Sequence, residues 1–373
     1  MGLIPFEQPV YVGRPLLPAA DAYARAVEGV WRRQWLTNSG VLHNQLELEL
    51  AAYLGAPCVS LVNSGTTALM LAVRAMDVAG EVITTPFTAP ATVNALRWCG
   101  LEPVFADIDP ERLTLQPDAV ESAIGPRTSA IVGVHIFGVA CDVQRLGAIA
   151  DHHQLRLIYD GAHSFGTSVA GTPVIAFGDA TTLSFHATKL LTTAEGGAVV
   201  GSDEALKARI DSLRNFGTRG DFEVVDLGLN GKMSELHAAL GLANLPLVAG
   251  ERGVRQEICR AYVEELTGLE GVRCPNLPSD EMDMLQYFPL RIDAASRDRI
   301  YDGLKHFNVF ARKYFPLCSQ SPLYQALPSS APENLRVATQ TATEILCLPF
   351  FGAFGVEGAR RVAAMIRYLV EAD

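Results

Sequence analysis

The chain has 373 residues, 49% of them hydrophobic, so it is longer than one typical domain, can bury a large core and is expected to form two domains. A formal net charge of −11 leaves no basic footprint for a nucleic acid, and no apolar stretch reaches the roughly twenty residues a membrane helix requires. Seven cysteines, Cys58, Cys99, Cys141, Cys259, Cys274, Cys318 and Cys347, are an odd set without close Cys-x-x-Cys pairs, which speaks against a disulfide frame or a zinc site and for a reducing cytoplasm.

The opening Met-Gly-Leu-Ile-Pro-Phe-Glu has neither the basic start nor the apolar run of a signal peptide. Over residues 57–202, strand-like apolar runs alternate with helical stretches. The runs are Val59 to Val62, Glu81 to Thr85, Pro103 to Asp107, Ala130 to Val134, Leu155 to Tyr159, Thr181 to Phe185 and Gly197 to Val200. This alternation predicts an α/β architecture, a mostly parallel sheet covered by helices on both faces. The first run ends in Asn63-Ser64-Gly65-Thr66-Thr67 before an amphipathic helix. Free N–H groups at such a helix start, with the Thr66 and Thr67 hydroxyls beside them, make an anion site; a Ser-Gly-Thr turn is equally a routine strand-to-helix link.

The pair His152-His153 has no acidic or thiol partner at ligand spacing and reads as surface. The run that follows stops at Asp160. An acid at the carboxyl end of such a strand points into the crevice where α/β sheets bind ligands, although Asp before Gly-Ala is also good helix-cap chemistry. Lys189 lies 29 positions later (189 − 160), between two strand-like runs and ahead of Gly196-Gly197. That separation is about one strand-turn-strand passage, so neighbouring strands can bring the two together. Most lysines are solvated surface charges. A pyridine-based electron sink, however, needs a carboxylate on its ring nitrogen and a lysine on its aldehyde, which is the requirement of pyridoxal phosphate (PLP).

Further on, a helical segment from about Met233 through Leu266, interrupted by Pro246 and Gly250, leads into a smaller domain that ends in the amphipathic stretch Val356 to Val370. The expected division is a large domain with an N-terminal arm, residues 1–249, and a small domain, residues 250–373.

Taken together, these segments resemble the fold-type-I PLP enzymes, specifically the DegT/DnrJ/EryC1/StrS family of nucleotide-sugar aminotransferases. The resemblance runs through Trp35-Leu-Thr-Asn-Ser-Gly40, the Asn63 to Thr67 turn, Glu81 to Thr92, Glu102 to Asp109, His135-Ile-Phe-Gly138, Asp160 to Gly166, the Lys189 segment and Gly228 to Gly241, which includes Glu235. It implies an aspartate-aminotransferase-like fold: a mostly parallel seven-stranded sheet sandwiched by helices, plus a smaller C-terminal α+β domain. It also implies the site roles. Lys189 matches the Schiff-base lysine, Asp160 the acid on the pyridine nitrogen, and His163 the residue beside the ring's phenolic oxygen. Ser184, Gly65, Thr66 and Thr67 match the phosphate cradle. Asn230 matches an asparagine that reaches the phosphate from the neighbouring subunit of a homodimer. Arg312 and Lys313 are candidates for the substrate diphosphate, with a solvated basic pair as the alternative.

One position departs from the family. Where an aromatic ring usually stacks on the cofactor, this chain has Ala89, and the strand parity of neighbouring Phe87 points it the other way. The activity implied is transfer of an amino group from an amino acid, glutamate by family analogy, to a nucleotide-linked ketosugar, with dTDP-4-keto-6-deoxyglucose the nearest analogue. No metal, nucleic acid or membrane is expected. A PLP-dependent sugar dehydratase or deoxygenase is the alternative, but dehydrating relatives replace the anchoring lysine with histidine and this chain keeps Lys189. A non-catalytic ligand-sensing protein is the third reading; it predicts decay of a set that is present here in full.

Overall fold

The computed structural model describes residues 3–220 and 222–371, so Met1 and Gly2 of the opening segment lie outside it. All seven predicted strands form, as β1 (Cys58–Val62), β2 (Glu81–Thr84), β3 (Glu102–Phe105), β4 (Thr128–Val134), β5 (Arg156–Asp160), β6 (Ala180–Ser184) and β7 (Gly197–Gly201). They make one sheet in the order β1-β7-β6-β5-β4-β2-β3. Every pairing is parallel except those of β7, which runs antiparallel to both β1 and β6.

Alternation along each strand sorts its side chains between two apolar layers. Val62, Val82, Val132, Ile158 and Val199 pack against helices Gly65–Ala75 and Glu204–Leu213. On the opposite face, Leu61, Leu183 and Ala198 meet helices Val41–Leu54 and Glu235–Asn244, while Ile83, Ile131 and Leu157 meet helix Val143–His153. Burial on both faces is why these strands read as continuous apolar runs rather than as an alternation of apolar and polar.

A separate apolar cluster around Ile258, Tyr262, Phe288, Leu346 and Ile366 fills the space between a three-stranded antiparallel sheet and the long helices Val248–Leu266 and Gly355–Glu371. The sheet strands are Val272–Arg273, Phe288–Ile292 and Ile345–Leu348. Pro246 does divide the expected Met233 to Leu266 segment, at the 3₁₀ turn Leu245–Leu247 between helices Glu235–Asn244 and Val248–Leu266. Gly250 does not interrupt it. The residue sits in the first turn of the second helix with open space around it, and the packed face of a nineteen-residue helix outweighs the ~1 kcal/mol that one glycine costs.

Helix Val41–Leu54 begins at Gly40, which has no side chain to cap it. Its cap comes from Glu235 instead: Oε1 accepts from the His43 N–H at 2.8 Å and Oε2 from the Leu42 N–H at 3.1 Å. A Cβ on Gly40 would lie 2.5 Å from the Glu235 carboxyl carbon, so the close approach itself requires glycine. The carboxylate is wholly buried, with Arg33 at 3.5 Å as counter-charge. Glu235→Ala therefore strands two helix-start donors and is expected to lower stability by roughly 2–4 kcal/mol, read as a lower urea midpoint, with Glu235→Gln losing less because one acceptor remains.

Candidate active site

The strands that end at the same edge of the main sheet bring the polar residues together. Asp160 is the last residue of β5, Ser184 the last of β6, and Lys189 lies in the turn five residues beyond Ser184. A cavity of about 240 Å³ opens at this edge. Gly65, Thr66, Ala89, Asp160, His163, Ser184 and Lys189 all line it, so seven of the sequence-predicted residues meet in one place.

Beside Ser184, β1 turns into helix Gly65–Ala75. Ser64 caps that helix, accepting from the Thr67 N–H at 3.0 Å, which leaves the first-turn N–H groups of Gly65 and Thr66 to face outward. Gly65 is packed so closely on β6 that a Cβ there would fall 2.8 Å from the Ser184 Cβ. The helix start and the Ser184 hydroxyl thus form one anion cradle with room for a phosphate against bare backbone. The Thr67 hydroxyl is not part of it. That group is hydrogen-bonded to Ser64 Oγ at 2.9 Å and stays outside the cavity lining, because the cap takes the third residue of the helix for itself.

Asp160 is not a helix cap. Its Oδ1 accepts from the Ala162 N–H at 3.0 Å in a local turn, and Oδ2 accepts from the Thr92 hydroxyl at 2.7 Å. With the Thr92 proton committed to Asp160, the Thr92 oxygen accepts from Thr88, 2.8 Å away. This buried hydroxyl chain fixes the carboxylate plane. Sequence reasoning missed Thr88 and Thr92. Their one signal is an i, i+4 pair of hydroxyls across a helix start, which many unrelated helices also carry.

His163 receives the Phe137 N–H on Nδ1 at 3.1 Å. Burial, and secondarily the neighbouring Lys189, hold the imidazole well below its ordinary pKa, so it is neutral with its proton on Nε2. It is therefore a hydrogen-bond donor on that side. Burial lowers the Lys189 amine to about 8, with Asp160 pulling the other way. The ammonium also lies 6.0 Å from the centroid of the Tyr287 ring. Together the parts fit PLP: a cradle for its phosphate, a fixed acid for its ring nitrogen, a neutral donor for its phenolic oxygen and a base-ready amine for its aldehyde.

Other expectations fall elsewhere. Ala89 does face the cavity, and Phe87 is wholly buried in an edge-to-face contact with Phe137, so Phe87 does not stand in for the missing ring. Arg312 and Lys313 are not among the lining residues: Arg312 bridges to Cys347 through its backbone, and Lys313 Nζ is ion-paired with Asp298 at 2.7 Å. A local carboxylate has claimed the cation. Asn230 is exposed and absent from its own chain's cavity, its carbonyl accepting from Asn63 at 3.3 Å. At the cavity mouth, His186 and Glu195 stand 3.7 Å apart, a pair that the sequence did not single out. His152 and His153 are exposed at a helix end.

Comparisons with known proteins agree with this geometry. The description DegT/DnrJ/EryC1/StrS aminotransferase family matches residues 19–367. A dTDP-4-amino-4,6-dideoxy-D-glucose transaminase from Escherichia coli is 38% identical over 350 residues, 92% of this chain and 94% of its own length. The crystal structure of DesI in the presence of its TDP-sugar product superposes with a TM-score of 0.93 at 39% identity, covering 100% of this chain and 95% of that one. NtdA from Bacillus subtilis with bound cofactor PMP gives 0.87 at 27%, over 96% and 86%. A family match over residues 19–367 and a relative alike over nearly its whole length, on a chain whose Lys189, Asp160 and Ser184 share one cavity, place this protein in the DegT/DnrJ/EryC1/StrS aminotransferase family as a PLP-dependent transaminase.

Proposed function

We propose that the enzyme moves an amino group from L-glutamate to dTDP-4-keto-6-deoxyglucose, giving dTDP-4-amino-4,6-dideoxyglucose. The observation that carries the reading is the convergence of Lys189, Asp160 and His163 on a single cavity. Support for the sugar comes from the relatives: transaminases named for this product in Escherichia coli and Shigella dysenteriae are 38% and 37% identical, and DesI is described with a TDP-sugar product.

PLP, when bound, supplies the electron sink that lets an amino group leave one carbon and arrive at another. The chain's residues do the rest. Gly65, Thr66 and Ser184 hold the phosphate. Asp160, locked by Thr92 and the Ala162 N–H, holds a proton on the ring nitrogen. His163 Nε2–H steadies the phenolic oxygen. With an amine lowered to about 8, Lys189 both anchors the aldehyde and, once released, carries a proton between substrate and cofactor at neutral pH.

The active enzyme in this reading is a cytoplasmic homodimer in which Asn230 of each subunit completes the phosphate cradle of the other. Exposed Trp31, Trp35, Phe222, Val224 and Leu227 support it, since large apolar side chains left bare on one chain favour cover by a second copy. All seven cysteines being free is in keeping with a reducing compartment, and among the described residues no helix is long and apolar enough to cross a membrane. A division at residues 249 and 250 belongs to the same reading: the buried members of the Ile258 to Ile366 cluster all come from residue 258 onward except Val139.

The decisive assay offers the PLP-loaded enzyme glutamate and a panel of nucleotide-linked ketosugars, with products followed by mass. Amination of dTDP-4-keto-6-deoxyglucose is expected, and amination of simple keto acids alone would sink the sugar assignment. A second prediction concerns the cofactor-free protein. Because the folded amine titrates near 8 and the unfolded one near 10.4, the unfolded chain holds the extra proton between those values, so stability rises with pH across that window. Below it the penalty is full, and Lys189→Met is expected to stabilise the apoprotein at pH 7 by roughly 3 kcal/mol, a gain that vanishes above about pH 10.5 in parallel melts. Third, Ala89→Phe restores an aromatic ring beside the cofactor, and a slower loss of PLP on dialysis than from the parent is expected, by up to about tenfold for 0.5–1.5 kcal/mol of stacking; equal rates would refute the stacking account.

A further inference from the structure

Lys189 sits on an open turn. Its neighbours Thr188 and His186 are exposed, and within the turn the Lys189 N–H reaches only the His186 carbonyl, at 2.9 Å. What fixes the backbone on both sides of the lysine comes from far along the chain. The side chain of Gln286, 5% exposed, accepts the Leu190 N–H on Oε1 at 3.0 Å and donates from Nε2 to the Thr188 carbonyl at 3.0 Å. One amide thus pairs with the peptide groups immediately before and after Lys189, as a neighbouring strand would.

Gln286 is itself held at the junction of the two apolar bodies. It lies two residues ahead of strand Phe288–Ile292, the middle strand of the small sheet. Its own N–H donates to the Phe137 carbonyl at 2.7 Å, and its carbonyl accepts from the buried Arg255. Phe137 is a non-glycine residue at φ 57°, a conformation that costs energy and persists where neighbours impose it. In that conformation it sends its carbonyl to Gln286 and its N–H to His163. Gly138 follows at φ 95°, and a Cβ there would fall 2.6 Å from the Met284 carbonyl. The segment before the small-sheet strand is therefore pressed against the main sheet and touches the supports of both Lys189 and His163.

We propose that Gln286 is a positioning residue for the reaction: its side-chain amide sets where the Lys189 amine stands, and so links the seating of the small sheet to the reacting end of the cofactor. A side chain of similar size without the amide would fill the space and leave Thr188 and Leu190 unpaired, freeing the turn. The inference rests on Lys189 being the cofactor's anchor.

The test uses full-length enzyme loaded with PLP, as parent, Gln286→Met and Gln286→Glu. For each, the visible absorbance is titrated with pH, kcat and the KM for the amino donor are measured, and the urea midpoint is recorded. Gln286→Met is expected to shift the midpoint of the absorbance titration by about half a pH unit or more and to lower kcat about tenfold or more, with the donor KM within about threefold of the parent. Gln286→Glu keeps the acceptor for Leu190, loses the donor to Thr188 and adds a charge, so its titration midpoint moves upward. It also keeps the question open to measurement should the methionine variant fail to fold. If either folded variant shows the parent titration and kcat while only its urea midpoint falls, Gln286 is a packing residue and the proposal is overturned. If the loaded parent has no absorbance that borohydride abolishes, the reading of Lys189 fails instead, and the two failures are distinct.

Discussion

A sheet buried on both faces can offer polar groups to a ligand only where its strands end. In this chain that constraint decides nearly everything about the site. β5 and β6 are buried through the layers and end in Asp160 and Ser184 at the cavity edge, while β1 passes into a helix whose first amides are free. The antiparallel β7 starts at that same edge, with Gly197 opposite both Val62 and Ser184. No bulk stands between the helix start and the serine, since a Cβ on Gly197 would fall 2.6 Å from the Ser64 carbonyl carbon.

The electrostatics follow from the same placement. Walls formed by buried strands and aromatic rings withhold water, so His163 stays neutral and Lys189 gives up its proton more readily than a surface lysine. Asp160 keeps its role by the opposite means, through hydrogen bonds from Thr92 and the Ala162 amide. An imidazole kept neutral by burial, an amine whose proton burial loosens and an acid held by donors are the three groups this edge brings together.

Much of this was legible in the sequence because the chemistry demands particular residue types at strand ends. Asp160 could be picked out because an acid ends the Leu157-Ile-Tyr159 run where the strand must stop, and Ser184 and Lys189 because a hydroxyl at the next strand's end and an amine five residues on meet the needs of the same chemistry. The seven strands were legible for the complementary reason, that two-sided burial keeps most of each run apolar and confines its polar members to small hydroxyls and strand ends. Local competition was not legible. Whether Thr67 serves a phosphate or its own helix cap depends on Ser64, and whether Lys313 serves a substrate or Asp298 depends on a helix fifteen residues upstream (313 − 298). Contacts across large separations were also hidden: Gln286 approaches Leu190 from 96 residues away, and nothing in the string Leu285-Gln286-Tyr287 marks it. The Thr88 and Thr92 pair was visible as residues but not as a relay, because hydroxyls at that spacing cap and decorate helices everywhere.

The loop between β6 and β7 has a consequence for how the cofactor is kept. Ser184 and Lys189 stand on one short tether, five residues apart, whose two ends enter adjacent strands of the same sheet. A molecule gripped through its phosphate by the first and through its aldehyde by the second is held as by a chelate. In the proposed reading, a phosphate held at Ser184 would keep the cofactor within reach of the Lys189 amine whenever the covalent hold is open, so its return to the lysine would be intramolecular. Such an enzyme can open its own bond to the cofactor in every cycle without surrendering it to solvent.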